Sequence, residues 1–165
     1  MENQGIELRA AALSDIDALT LLAAQVQTVH AQGRPDLFRP AEMGALRDFL
    51  IARLSDDSVL LVAEDHRSTP VGYLLAEVLS RPESPFQFSH TSVYVHHIAV
   101  DEAARRQRVG EVLMQGIADR ARRVGASSLR LDSWSFNTDA HAFFEAQGFT
   151  ATRFVFEQHL DALGA

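Results

Sequence analysis

The sequence predicts one α/β domain with elements in the order β-α-α-β-β-β-α-β-α-β. Three observations carry this. Apolar residues recur at helical spacing in four places. Six other short runs are continuous or alternating in apolar residues and bounded by Gly, Pro or polar clusters, as strands are. No repeat, low-complexity stretch or long linker divides the 165 residues, so residues 1–165 are expected to form a single domain.

The first strand is read at "IELRA", residues 6–10, with Ile6 and Leu8 on one face. A helix is expected from Ser14, because Ser14 and Asp17 have the spacing of a capping box. Ile16, Leu19, Leu22, Ala23, Val26 and Val29 form its stripe. "QGRPDLFRP" breaks it. A second helix is expected to use Pro40 in its first turn, with Met43, Leu46, Leu50 and Leu54 on one face. "SVLLVAED", "PVGYLLAEVLS" and "TSVYVHHIAV" read as three strands. The loop "RPESPFQFSH" precedes the third. Val109, Val112, Leu113, Ile117, Ala121 and Val124 mark a third helix, which Gly125 ends in a left-handed cap. "SSLRLDSW" alternates as a strand, Asn137 opens a fourth helix, and "FTATRFVFEQHL" reads as the last strand.

Composition narrows the function. Apolar residues make up 47% and charged residues 22%, which is ordinary for a globular domain. The net charge of −7 argues against nucleic-acid binding, which needs a basic face. No apolar run is long enough to span a membrane, and "MENQGIELRA" lacks the regions of a signal peptide, so a cytoplasmic protein is expected. With no cysteine there is no disulfide, thiolate metal site or cysteine nucleophile.

Against this acidic background, "HHIAVDEAARRQRVGEVLM" concentrates Arg105, Arg106 and Arg108 between a strand and a helix. The free N–H groups at a helix start, with the helix dipole, favour an anion. Gly110 would let a ligand approach the backbone. A solvated charge cluster fits "RRQR", residues 105–108, equally well. The glycines match neither a dinucleotide fingerprint nor a P-loop.

The same stretch resembles the acetyl-CoA motif of the GNAT superfamily of N-acetyltransferases, [QR]-x-x-G-x-[GA] after a strand, here Arg105-Arg106-Gln107-Arg108-Val109-Gly110. "NTDAHAFFEAQGF" is similar to the family's N-x-x-A-x-x-[FY]-[YF]-E-x-x-G-F helix. The resemblance covers nearly the whole chain in the correct element order. It implies a mixed, mostly antiparallel sheet of about six or seven strands flanked by four helices.

It also implies acetyl-CoA as co-substrate and no metal. The pantetheine arm would lie along the backbone of Ile98, Ala99 and Val100. The pyrophosphate would sit on N–H groups of Arg105, Arg106, Gln107, Arg108, Val109, Gly110 and Glu111. Asn137 would bond the cofactor, or serve as a plain N-cap, and Phe144 would stand beside the thiol. Two positions depart from the pattern. Arg108 stands where a glycine is usual, which matters if the backbone there has positive φ; its side chain could instead contact phosphate. Phe144 stands where many relatives carry a tyrosine proposed as the general acid. Tyr73, Tyr94 or water could substitute, or the thiolate could leave unassisted.

Acetylating an amine requires removing its proton, since an alkylammonium has a pKa near that of lysine, about 10.4. His96 occupies the place where relatives often carry a glutamate base, and a histidine suits the task. His97 is the second choice. Adjacent strand residues point to opposite faces, so one of the two is expected to face the site. Without cysteine, direct attack in a ternary complex remains. The acceptor would be a small-molecule or peptide amine, entering past His30, Phe38, Phe86, Phe88 and His90. Those aromatics would equally suit a homodimer contact. A non-catalytic acyl-CoA sensor is the alternative reading, since Arg108 and Phe144 could both reflect loss of catalysis.

Overall fold

The computed structural model describes residues 5–160. Five strands form one sheet in the order β1-β2-β3-β4-β5: β1 (Glu7–Ala10), β2 (Val59–Glu64), β3 (Pro70–Arg81), β4 (His90–Val100) and β5 (Ser128–Arg130). The first four pair antiparallel, and β5 runs parallel to β4. The helices are α1 (Ile16–Gly33), α2 (Met43–Ser55), α3 (Val109–Arg123) and α4 (Thr138–Ala146).

Both faces of β2, β3 and β4 are covered, which explains their near-continuous apolar runs. On one face, Val62, Tyr73, Leu75 and Ala99 pack with Ile16, Leu19 and Leu22 of α1 and Leu50 of α2. On the other, Ala63, Leu74, Ala76, Val93 and Val95 pack with Val109, Leu113 and Ile117 of α3. Among the described helices none is long and apolar enough to cross a membrane.

Three local expectations are corrected. α1 begins at Ile16 after a 3-10 turn, Leu13–Asp15, and Asp15 rather than Ser14 organises that start. Its carboxylate accepts from Ala12 N–H at 2.7 Å and from Arg9 at 2.7 and 2.8 Å. Arg9 also pairs with Glu64 of β2, which ties the helix start to the sheet. The Arg9 guanidinium holds the Asp15 carboxyl below its usual range despite burial. α2 begins at Met43, not at Pro40, because Glu42 caps it by accepting from the N–H groups of Gly44 and Ala45.

The third correction concerns the sheet, which has five strands among the described residues and not six or seven. "FTATRFVFEQHL" is not part of it. β5 is also shorter than the alternation of "SSLRLDSW" suggests. It pairs with β4 only through Ser92↔Ser128, Val93↔Leu129 and Tyr94↔Arg130. From Val95 to Val100, β4 has β3 on one side and, among the described residues, no strand on the other, so β4 and β5 splay apart.

Candidate active site

The splay leaves one edge of β4 with unpaired backbone groups, an edge on which an extended group can add like a strand. Ile98, Ala99 and Val100 lie on it. Their side chains are packing residues: Ala99 belongs to the α1–α2 side, Ile98 and Val100 to the α3 side.

The register of β4 changes at the centre of this edge. Leu75 opposes His97, but Ala76 opposes Val95, so His96 is the extra residue of a β-bulge. The bulge overturns the expectation that His96 and His97 face opposite ways. His96 Nε2 lies 3.1 Å from Glu77 Oε2. Glu77 shares the α1–α2 face with Tyr73 and Leu75, being two residues on from Leu75. His97 also lies on that face, stacked on Phe49 of α2 at 5.6 Å, with Nδ1 3.2 Å from the Tyr73 hydroxyl.

The two histidines differ in surroundings. Burial pushes the His97 imidazole down to about 4, with smaller contributions from His96 and His30, so it is neutral at physiological pH. The His96 side chain is 41% exposed and has a carboxylate at one ring nitrogen. If Nε2–H donates to Glu77, Nδ1 is left as an acceptor.

Neither tyrosine is a free acid. Tyr73 is fully buried against His97, and burial raises its phenol. Tyr94, tilted against His96 at 5.0 Å, donates to Asp132 just after β5. Burial and that carboxylate push it up to about 12. Phe144 packs edge-on between Phe143 and Phe149, at 5.3 and 5.9 Å.

Beyond Val100 the chain forms a 3-10 turn, Glu102–Ala104, and then the turn into α3. The N–H groups of Arg106, Arg108, Val109, Gly110 and Glu111 donate to no backbone carbonyl among the described residues. Five such donors thus lie in the turn and at the start of a helix of 15 residues, a place that favours an anion. The backbone that aims them is left-handed at two non-glycine residues, Arg106 (φ 67°) and Arg108 (φ 64°). Arg108 therefore does occupy a position that glycine would fill with less strain. Its side chain runs along the helix to Glu111, Nε to Oε2 at 2.8 Å. Gly110 has a packing reason as well: a Cβ there would come within 2.9 Å of the Phe143 ring. Asn137 caps α4, its Oδ1 accepting from Ala140 N–H at 3.3 Å.

The mouth of the splay differs from the sequence expectation. His30 stacks on Phe38 at 5.0 Å, and Phe38 meets Trp134 edge-on at 5.4 Å. Arg34 lies over Trp134 at 5.3 Å, and Trp134 stacks on Phe136. This cluster joins the end of α1 to the segment after β5. Phe86 and Phe88 lie on the β3–β4 loop, almost fully exposed and outside the cluster, and His90 opens β4 with Nδ1 3.0 Å from the Phe88 carbonyl oxygen. Glu77, Phe49, Asp132 and Trp134 were not singled out in the sequence. Glu77 alone carried a signal, as the one charged side chain inside "PVGYLLAEVLS". Among the described residues no group of three or more metal-ligating side chains converges.

A strand edge opened by a splay, followed by a turn of free N–H groups at a helix start, places the chain among α/β domains of the acetyltransferase class. Comparison with known proteins gives the family. The model of the "Acetyltransferase (GNAT) family" matches residues 24–149, and the chain belongs to that family. Among solved structures, a tetramutant of the BH1408 protein from Bacillus halodurans is 25% identical, with a TM-score of 0.88 over 94% of this chain and 100% of that one. An acetyltransferase from Trypanosoma brucei (18%, TM-score 0.68, 94% and 100%) has the same fold. So does glucosamine-6-phosphate N-acetyltransferase from Arabidopsis thaliana (15%, TM-score 0.68, 95% and 99%). No curated protein matches the sequence.

Proposed function

We propose that the protein transfers an acetyl group from acetyl-CoA to a primary amine of a small molecule or peptide, by direct attack within a ternary complex. The observation that carries this reading is the placement of His96: on a bulge, at the free edge of β4, with Glu77 at 3.1 Å on Nε2. Glu77 fixes the ring and stabilises the imidazolium once it forms, the role a carboxylate plays behind a histidine base. His96 Nδ1 then takes the amine proton. The nitrogen lone pair forms the C–N bond, the C–S bond breaks, and CoA departs as a thiolate. The pantetheine arm runs along the backbone of residues 98–100, and a strand N–H of that edge stabilises the carbonyl oxyanion. The pyrophosphate takes the N–H groups from Arg106 to Glu111. Phe144 supplies no proton, so the thiolate leaves unassisted or through water. Asn137 is assigned to capping α4, with its amide N–H₂ still free toward the cofactor. The aromatic mouth suits an apolar or aromatic amine.

The test is thiol release from acetyl-CoA over an amine panel, with His96→Ala and Glu77→Gln measured across pH. Loss of the base should lower kcat/KM by about 10² to 10⁴ and remove the acidic limb of its pH profile. An unchanged profile would take His96 out of the mechanism. Tight acetyl-CoA binding with no thiol release from any amine would favour the sensor reading.

A further inference from the structure

The seam between β4 and β5 is closed from one end only. There Ser127 donates to the Thr91 carbonyl twice, from its backbone N–H at 2.8 Å and from Oγ at 3.1 Å. Three ladder pairs follow, and the last is Tyr94↔Arg130. The final link is made by side chains: the Tyr94 hydroxyl donates to Asp132, two residues past the end of β5. Past Tyr94, no hydrogen bond among the described residues joins β4 to the chain beyond β5. The splay therefore begins at the Tyr94–Asp132 contact.

Tyr94 also stands on the reacting side of the sheet. It opposes Glu77 across the β3–β4 ladder, and its ring is tilted against His96 at 5.0 Å. One side chain thus touches the candidate base and holds the far wall. Little else holds that wall, since β5 has three residues and α4 has no fully buried side chain. A hydrogen bond onto a carboxylate is of the stronger, charge-assisted kind. The phenol, pushed up to about 12, stays a donor at physiological pH.

We propose that Tyr94 and Asp132 are positioning residues for acetyl-CoA: their hydrogen bond sets where the splay begins and how far the β5 wall stands from the free edge of β4. The role rests on the reading of that edge as the seat of the pantetheine arm. A cleft already held at its working width loses less freedom on binding than one whose wall the ligand must order. The hydroxyl takes no part in bond making, so its loss weakens cofactor binding more than it slows the chemical step.

Trp134, the single tryptophan of the chain, lies two residues beyond Asp132 and reports on the wall without any ligand. Tyr94→Phe and Asp132→Ala should each raise the quenching of its fluorescence by acrylamide. Each should also raise the acetyl-CoA dissociation constant, by calorimetry at fixed salt, about fivefold to tenfold. KM for acetyl-CoA should rise in step, and kcat should fall less. Tyr94→Phe keeps the ring against His96, so its effect isolates the hydroxyl. Asp132→Asn keeps an oxygen that accepts from the phenol and should recover most of both losses. Unchanged quenching or unchanged affinity in Tyr94→Phe and Asp132→Ala would overturn the proposal. So would an Asp132→Asn variant no better than Asp132→Ala. An original chain that binds no acetyl-CoA would instead overturn the reading of the edge, and the positioning role with it.

Discussion

Leu74 and Phe144 belong to the same apolar cluster, yet Leu74 is wholly enclosed and Phe144 is only part-buried. The difference extends to the regions around them. Leu74 sits in β3, which is paired on both edges and covered on both faces. Phe144 sits in α4, nine residues with no fully buried side chain, beside a strand of three residues. The candidate site is the seam between these regions. One wall is a rigid platform that fixes the His96 bulge and the free edge of β4. The other wall is lightly held, and segments with few buried contacts open at the lowest cost in free energy. A group that slides between two strands needs one of them to yield, and here that is β5 with α4.

The comparison makes its largest prediction in the core. Leu113→Ala, on the platform side of α3, should cost about 2 to 5 kcal/mol in urea denaturation, as deletion at a fully enclosed site does. Phe144→Ala should cost at most about half as much, because water can fill the space left by a ring that is already part-exposed. Equal costs would abolish the distinction between the two walls.

A somewhat smaller effect should appear in the pH dependence of stability. His97 is held neutral in the folded platform, down at about 4 from an ordinary 6.5, and burial lowers His30 as well. For a group with a depressed folded pKa, the unfolded chain binds the proton first. Above about pH 6.5 the group imposes no penalty. Stability then falls as pH falls from 6.5 toward 4, by up to about 3 kcal/mol for His97. His97→Gln keeps a hydrogen-bonding partner for Tyr73 and should flatten that fall. An unchanged slope would mean that His97 titrates alike in both states.

The platform was largely legible in the sequence and the weaker wall was not. Val62 and Leu74 lie on continuous apolar runs, which two-sided burial produces, and Leu113 lies on a helical stripe whose period assigns it. The turn of free N–H groups before α3 was legible from the join of strand to helix. The bulge was hidden because one inserted residue reverses the facing of a histidine without any Gly or Pro to mark it. The segment 150–160 has the period of a strand, but period states only what a segment can pair as. Whether its own sheet supplies the partner depends on where β5 stops. Asn137 was read as opening a helix, with a cap and a cofactor contact both open, and it does cap α4, while Trp134 carried no period at all.

Arg108 lies where the two walls join and gives the smallest and sharpest test. Its φ of 64° strains an arginine, so Arg108→Gly should relieve about 1 kcal/mol. Loss of the exposed pair with Glu111 and the added freedom of the unfolded glycine offset part of this. The expected result is a chain as stable as the original or up to about 1 kcal/mol more so. The consequence for binding is independent of the one for stability. The Arg108 side chain is 78% exposed and engaged by Glu111, while its N–H remains free in the turn. Backbone donors survive replacement by glycine. Acetyl-CoA affinity, measured by calorimetry at fixed salt, should therefore change by no more than about twofold. A side chain that gripped the pyrophosphate would lose a charge-assisted contact, and affinity would fall about tenfold or more. That outcome would mean that Arg108 abandons Glu111 when the cofactor binds, and that the turn holds phosphate by side-chain charge as well as by backbone geometry.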